Sequence, residues 1–192
     1  MIRQQSGGRL GLERKWPMKS MLDSISGVEA LQILRSLCSS DAELCRRIES
    51  EAERLLRNVD PQDVANDVIF DLESIDVEEL WARSGETRHG YSSPDEMAVE
   101  MVEEALKPYE DKIQEYSNIG MAEGAKRYCM GVLKGIYEFE HQSKTEFKDW
   151  ATDIPGECFG GILEEWQRSC AREPDVKEMN AFISKECPKW AE

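Results

Sequence analysis

Histidine is nearly missing from this chain: His89 and His141 are its only two in 192 residues. A cysteine nucleophile needs a base beside it, so this scarcity leaves little room for cysteine catalysis. The six cysteines are Cys38, Cys45, Cys129, Cys158, Cys170 and Cys187, and no two of them form a Cys-x-x-Cys pair. They read as packed, reduced thiols, and the expected location is the cytoplasm. No apolar run approaches the ~20 residues a bilayer span requires, and no secretory signal stands at the N-terminus. A glycine-rich phosphate loop, a Gly-x-Ser-x-Gly elbow and a His-Glu-x-x-His string are all absent. No segment sustains period-2 alternation, so no sheet is predicted.

Positive charge is also scarce beyond the first twenty residues. The net charge is −15, divided as +4 over residues 1–20 and −19 over the rest. A body this acidic repels phosphate backbones, which leaves nucleic acid only the 1–20 arm to bind. That arm holds Arg3, Arg9, Arg14, Lys15 and Lys19 with Trp16 among glycines, and it reads as a flexible basic leader. Residues 21–192 read as one domain, and 40% hydrophobic content is enough to build its core.

What the chain has in abundance is helix-start signals. Ser40-Asp41-Ala42-Glu43, Asp60-Pro61-Gln62-Asp63 and Ser93-Pro94-Asp95-Glu96 each set a capping oxygen ahead of an acidic residue. Two of them also place Pro at the first helical position, where its missing N–H costs nothing. A 3.6-residue apolar rhythm follows each. Helices are predicted over about 28–38, 41–57, 61–74, 94–119, 121–140, a span after Pro155, and 175–187. A short turn is predicted after Asp76 and another near Thr145. Stripes such as Val28/Leu31/Leu34/Cys38, Leu44/Ile48/Ala52/Leu55 and Val64/Val68/Leu72 are the candidate core faces. Pro108 is expected to kink or split the fourth of these helices. Short loops between helices imply an all-α protein of about seven or eight helices, an irregular bundle or a short α-solenoid of antiparallel pairs.

Ser117-Asn-Ile-Gly120-Met-Ala-Glu-Gly-Ala125 resembles the inter-helix turn of tetratricopeptide-like repeats. Leu80-Trp81-Ala-Arg-Ser-Gly85, Gly90-Tyr91 and the helix pair ending near Trp150 resemble the helical (tetratricopeptide/HEAT-like) region that accompanies SWIM-type zinc fingers in prokaryotic proteins. The finger's Cys-x-Cys and Cys-x-His pairs have no counterpart here. The resemblance therefore implies an all-helical companion module and brings no catalytic residues with it.

Three places could carry chemistry. The polar stretch from Trp81 to Pro94 gathers Trp81, Arg83, Arg88, His89 and Tyr91 in an acidic protein, and planar donors beside flat aromatic faces suit recognition. The plainer reading is a connector pinned by its aromatics, with its arginines paired to acidic helices. Gly120, Gly124, Gly131 and Gly135 fall within about 60° of one another on a helix of ~100° per residue. Close approach of another helix is the ordinary compensation for their cost of ~1 kcal/mol each. A groove for a partner peptide is the sharper one. Glu86-x-x-His89 and Glu138-x-x-His141 have the spacing of carboxylate-bridged di-metal ligands, although Glu86 and His89 read as loop.

The reading that these features support is a non-catalytic protein–protein interaction module. Its partner would be a protein with a basic segment, held on an acidic face or by Trp81, Arg83, Arg88, His89, Tyr91, Gly124, Gly131 and Gly135. No cofactor and no membrane are implied. A homodimer follows if an apolar strip stays exposed. The alternative is an enzyme with a carboxylate/His metal centre.

Overall fold

The computed structural model describes residues 21–87, 90–170 and 172–191. The 1–20 arm, Arg88 and His89 lie outside them. Eight α-helices run through the described residues: α1 (Gly27–Ser40), α2 (Ala42–Arg57), α3 (Pro61–Glu73), α4 (Val77–Arg83), α5 (Pro94–Asn118), α6 (Ala122–Gln142), α7 (Ile154–Cys170) and α8 (Glu173–Glu186). The class is all-α, and no described helix is long and apolar enough to cross a membrane.

The caps are built largely as the sequence indicates. Asp60 accepts the Gln62 N–H at 2.9 Å and starts α3. Ser93 and Glu96 close a full capping box on α5, side chain to backbone in both directions at 3.2 and 3.0 Å. One cap falls a residue later than expected. Ser40 ends α1 by donating to the Leu37 carbonyl, and Asp41 takes over as the acceptor for the Glu43 and Leu44 N–H groups. Gly120 ends α5 with φ +75°, its N–H bonded to the Ser117 carbonyl and that of Met121 to the Tyr116 carbonyl. That left-handed turn is open to glycine with little strain, and it reverses the chain into α6.

Two expectations are corrected. Residues 85–87 and 90–92 pair as two short antiparallel strands, β1 (Gly85–Thr87) and β2 (Gly90–Ser92), with Glu86 opposite Tyr91. Strands of three residues are too short to show alternation, and positive φ at Gly85 and Gly90 supplies the bends. Of the kink or split expected at Pro108, the split does not occur, and α5 continues to Asn118. Pro108 stands on an exposed turn, where solvent can satisfy the carbonyl that loses its N–H partner.

The chain divides into two units within α2, at Glu51. In the first, α1 buries no residue: Val28 is 69% exposed and Leu31 46%. The expected stripe on α1 is thus apolar but not core. Helix α2 likewise buries none of its residues, and Leu55 is exposed.

The second unit, residues 52–192, is organised around α6, which packs against α3, α5, α7 and α8. Twelve of its 21 residues are buried, so apolar neighbours must meet it on several sides. Val64, Val68 and Leu72 from α3, Val102 and Leu106 from α5, Ile162 and Trp166 from α7, and Met179 from α8 join Val132, Leu133, Ile136 and Phe139 in one core. The C-terminal turn sets Trp190 edge-on to Tyr137 at 5.3 Å and to Phe159 at 5.0 Å, closing the end of the α6–α7 pair.

Candidate functional site: the acidic cleft between α5 and α7

Helices α5 and α7 pack together, with Leu106, Ile113, Ile162 and Trp166 in the shared core, and leave a gap beside these side chains. The gap is a cleft of about 440 Å³ bounded by Glu110, Asp111 and Gln114 on α5 and by Gly161, Glu165 and Arg168 on α7. A neighbouring cleft of about 360 Å³ shares Lys107, Glu110, Gly161 and Ile162 with it and extends to Glu103, Glu157 and Cys158. Helical spacing produces this arrangement. Glu103, Glu110 and Gln114 recur at seven and four residues along one side of α5, next to the buried stripe of Leu106 and Ile113.

Five carboxylates and two cations line the two clefts: Glu103, Glu110, Asp111, Glu157 and Glu165 against Lys107 and Arg168. Both cations are already engaged, Lys107 with Asp111 at 2.8 Å and Arg168 with Glu165 at 3.0 Å. Partial desolvation between the walls pushes the Glu110 carboxyl above its ordinary value. The Lys107 ammonium opposes that rise, and the charges of Asp111, Glu103 and Glu165 add to it. Burial pushes the Cys158 thiol up to about 11, with Glu103, Glu110 and Glu157 reinforcing the effect. A thiol so held is a poor nucleophile.

Gly161 sits where the two clefts meet, and a Cβ added there would find nothing within 4 Å. The glycines singled out in the sequence behave in the opposite way. A Cβ on Gly131 would lie 2.6 Å from Val64 Cβ and 2.7 Å from the Pro61 carbonyl oxygen. On Gly135 it would lie 2.7 Å from Val68 Cβ, and on Gly124 2.8 Å from the Leu56 carbonyl oxygen. That flank of α6 is filled by α3 and by the end of α2. It is a packing seam, and it leaves no groove for a peptide.

Of the residues around β1 and β2, Trp81, Arg83 and Tyr91 are described. Arg83 bonds Glu79 through Nε at 2.9 Å and Glu104 through Nη1 at 2.7 Å, which ties α4 to α5. The Glu104 bond, followed by that of Glu79, holds the guanidinium above its ordinary value. Trp81 meets Trp150 edge to face at 4.9 Å while remaining 52% exposed. Tyr91 stands out at 68%. Arg88 and His89 lie outside the described residues.

Of the two Glu-x-x-His spacings, that of Glu86 and His89 reaches outside the described residues, and that of Glu138 and His141 lies on α6. His141 directs Nδ1 at the Tyr137 carbonyl at 2.9 Å, and its ring stacks on Tyr137 and meets Trp190 edge-on. Glu138 is near Lys134. Among the described residues, Glu123, Asp175 and Glu178 are the carboxylates that converge closely enough to share an ion, and the cation between them is Lys126. Burial alone would lower the Lys126 ammonium, but hydrogen bonds to Glu123, Glu178 and Asp175 hold it above its ordinary value. Burial would likewise raise Asp175, yet the Arg172 and Lys126 hydrogen bonds keep it low. This cluster fastens α6 to α8, with Lys126 and Arg172 set against its three carboxylates.

The cleft is not legible in the sequence because Glu103, Glu110 and Glu165, each taken singly, sit on exposed faces of amphipathic helices. The available signal was Gly161, a glycine in the middle of an amphipathic helix with no turn to explain it. Comparison of the chain with family models, with curated proteins and with solved structures returned no match.

Proposed function

We propose that the protein is a non-catalytic helical interaction module that receives a basic segment of another protein in the α5–α7 cleft. The observation that carries this reading is the excess of carboxylates along a concave apolar floor, with Glu110 destabilised as an anion and a glycine surface over which another backbone can pass. A cation entering the cleft relieves the repulsion, and an apolar face beside it covers Ile113 and Ile162. Cys129 and Cys187 are buried, burial pushes the Cys158 thiol up and the His141 ring is stacked on Tyr137, which fits binding better than nucleophilic chemistry at those groups. The likeness to helical companion regions of SWIM-type proteins fits the same reading, that of a module working beside another protein.

The test is fluorescence anisotropy with a labelled amphipathic peptide bearing lysines along one helical face. Reversal of the wall charges in E110K/E165K is expected to weaken binding about 10- to 100-fold, or ~1.4–2.8 kcal/mol. Thermal unfolding should stay unchanged, because both side chains are largely in solvent. Since Glu110 must ionise to hold a cation, affinity should also fall as pH drops through its raised pKa. Equal affinity of the native and reversed proteins would refute the reading.

A further inference from the structure

Two thiols meet where α1 gives way to α2. Cys38 stands in the last turn of α1 and Cys45 in the first turn of α2. In an unbroken helix, residues seven apart are separated by about 10.5 Å along the axis, beyond the ~7 Å between Cα atoms that a disulfide can span. Here the helix is broken. Asp41 is extended, with φ −144° and ψ 107°. Its N–H still bonds the Leu37 carbonyl, while its side chain caps the Glu43 and Leu44 N–H groups of the next helix. The break brings the Cys45 thiol within hydrogen-bond reach of the Cys38 sulfur, and of Glu49 Oε1 at 3.7 Å. Both thiols are free and only partly buried, whereas Cys129 and Cys187 are enclosed in the core.

The bond to Cys38 is the largest of the effects that push the Cys45 thiol up, to about 11, followed by desolvation and by the charges of Cys38 and Glu49. A sulfur so held is a poor first nucleophile, but it already faces the atom it would attack second. We infer that Cys38 and Cys45 form a reversible disulfide, a redox clasp across the break between α1 and α2, with a low-molecular-weight disulfide as oxidant. The Cys38 thiolate attacks one sulfur of that disulfide and expels the other as a thiolate. Cys45 then gives up its proton and attacks Cys38 Sγ, closing the Cys38–Cys45 bond and expelling the second small thiolate. The two expelled thiolates take up the protons that the cysteines release. Two electrons pass from the cysteine pair to the small disulfide, which leaves as two thiols. The closed bond fixes the angle at Asp41, and α1 buries no residue whose packing would compete in setting it. This inference does not depend on the cleft, and either can fail alone.

The test equilibrates the native full chain with mixtures of reduced and oxidised glutathione, quenches with acid, alkylates, and digests with trypsin without reduction. Cleavage after Arg35 and Arg46 releases residues 36–46 as one peptide carrying both cysteines. By mass spectrometry that peptide should be unalkylated and lighter by its thiol hydrogens. At a fixed glutathione ratio, the proportion of closed to open peptide should be at least about 10-fold higher in native buffer than in concentrated urea, because the folded break holds the sulfurs together. C45S should trap glutathione on Cys38. Closure should slow amide hydrogen exchange over residues 41–45 at least about 10-fold. Equal closure in native buffer and urea overturns the inference, as do native glutathione adducts that never close, a C45S chain with no adduct on Cys38, and closure that leaves exchange at the break unchanged.

Discussion

The two flanks of the core treat glycine in opposite ways. Where α6 meets α3, Gly131 and Gly135 are spaces already filled, with Val64 and Val68 and the carbonyls of Pro61 and Ala65 closer than any Cβ would tolerate. Where α7 borders α5, Gly161 faces open space above a carboxylate-lined cleft. Both helices lose about 1 kcal/mol per interior glycine relative to alanine. On α6 that loss is offset by close packing of two helix backbones, and within the described chain nothing offsets it on α7. A glycine in a helix is therefore ambiguous in sequence, and its neighbours decide whether it marks a seam or a surface.

The contrast can be broken experimentally, starting with the seam. G131A/G135A should destabilise the protein by about 2–5 kcal/mol in urea unfolding, because α3 must move away from α6 along its length. A double variant as stable as the native chain would mean that the helices are not in backbone contact. The second test concerns what holds α6 on its other side. Lys134, followed by Lys185, hydrogen-bonds Glu186 and lowers its carboxyl to about 2. A depressed carboxylate contributes stability above its unfolded value, near 4.5, and that contribution is lost as pH falls toward 2. Allowing for screening of the exposed Lys185, the loss should be about 1–2 kcal/mol. E186Q should flatten that part of an acid titration followed by circular dichroism, and an unchanged titration would remove Glu186 from the account. The smallest effect is expected at the cleft. G161A should raise stability by about 0.5–1 kcal/mol, since the methyl group meets no neighbour. If G161A instead destabilises the chain, the cleft is narrower than described.

How much could be read from the sequence follows the same contrast. Ser93 with Glu96 and Asp60 ahead of Pro61 were legible because a cap is a local hydrogen bond between residues two or three apart. The stripes of α3, α5 and α6 were legible because an apolar arc on a helix is a one-dimensional pattern. The stripe of α1 has the same pattern and is exposed, since periodicity says which face is apolar and not whether anything covers it. Lys126 reads as an ordinary surface lysine, and only the fold brings Asp175 and Glu178 to it across about fifty residues. The carboxylates of the cleft were hidden for the same reason, because a concave surface exists only between elements.

The packing of α3 into the glycines of α6 also sets a schedule. Roughly 70 residues separate the end of α3 from the end of α6. At ribosomal rates of about 5–20 residues per second, α3 waits roughly 4–15 s before the surface it fits has been made. During that interval Val64, Val68 and Leu72 have no α6 to cover them. The contact between α3 and α6 thus has one half made several seconds before the other, while those of α6 with α7 and α8 must wait longer still.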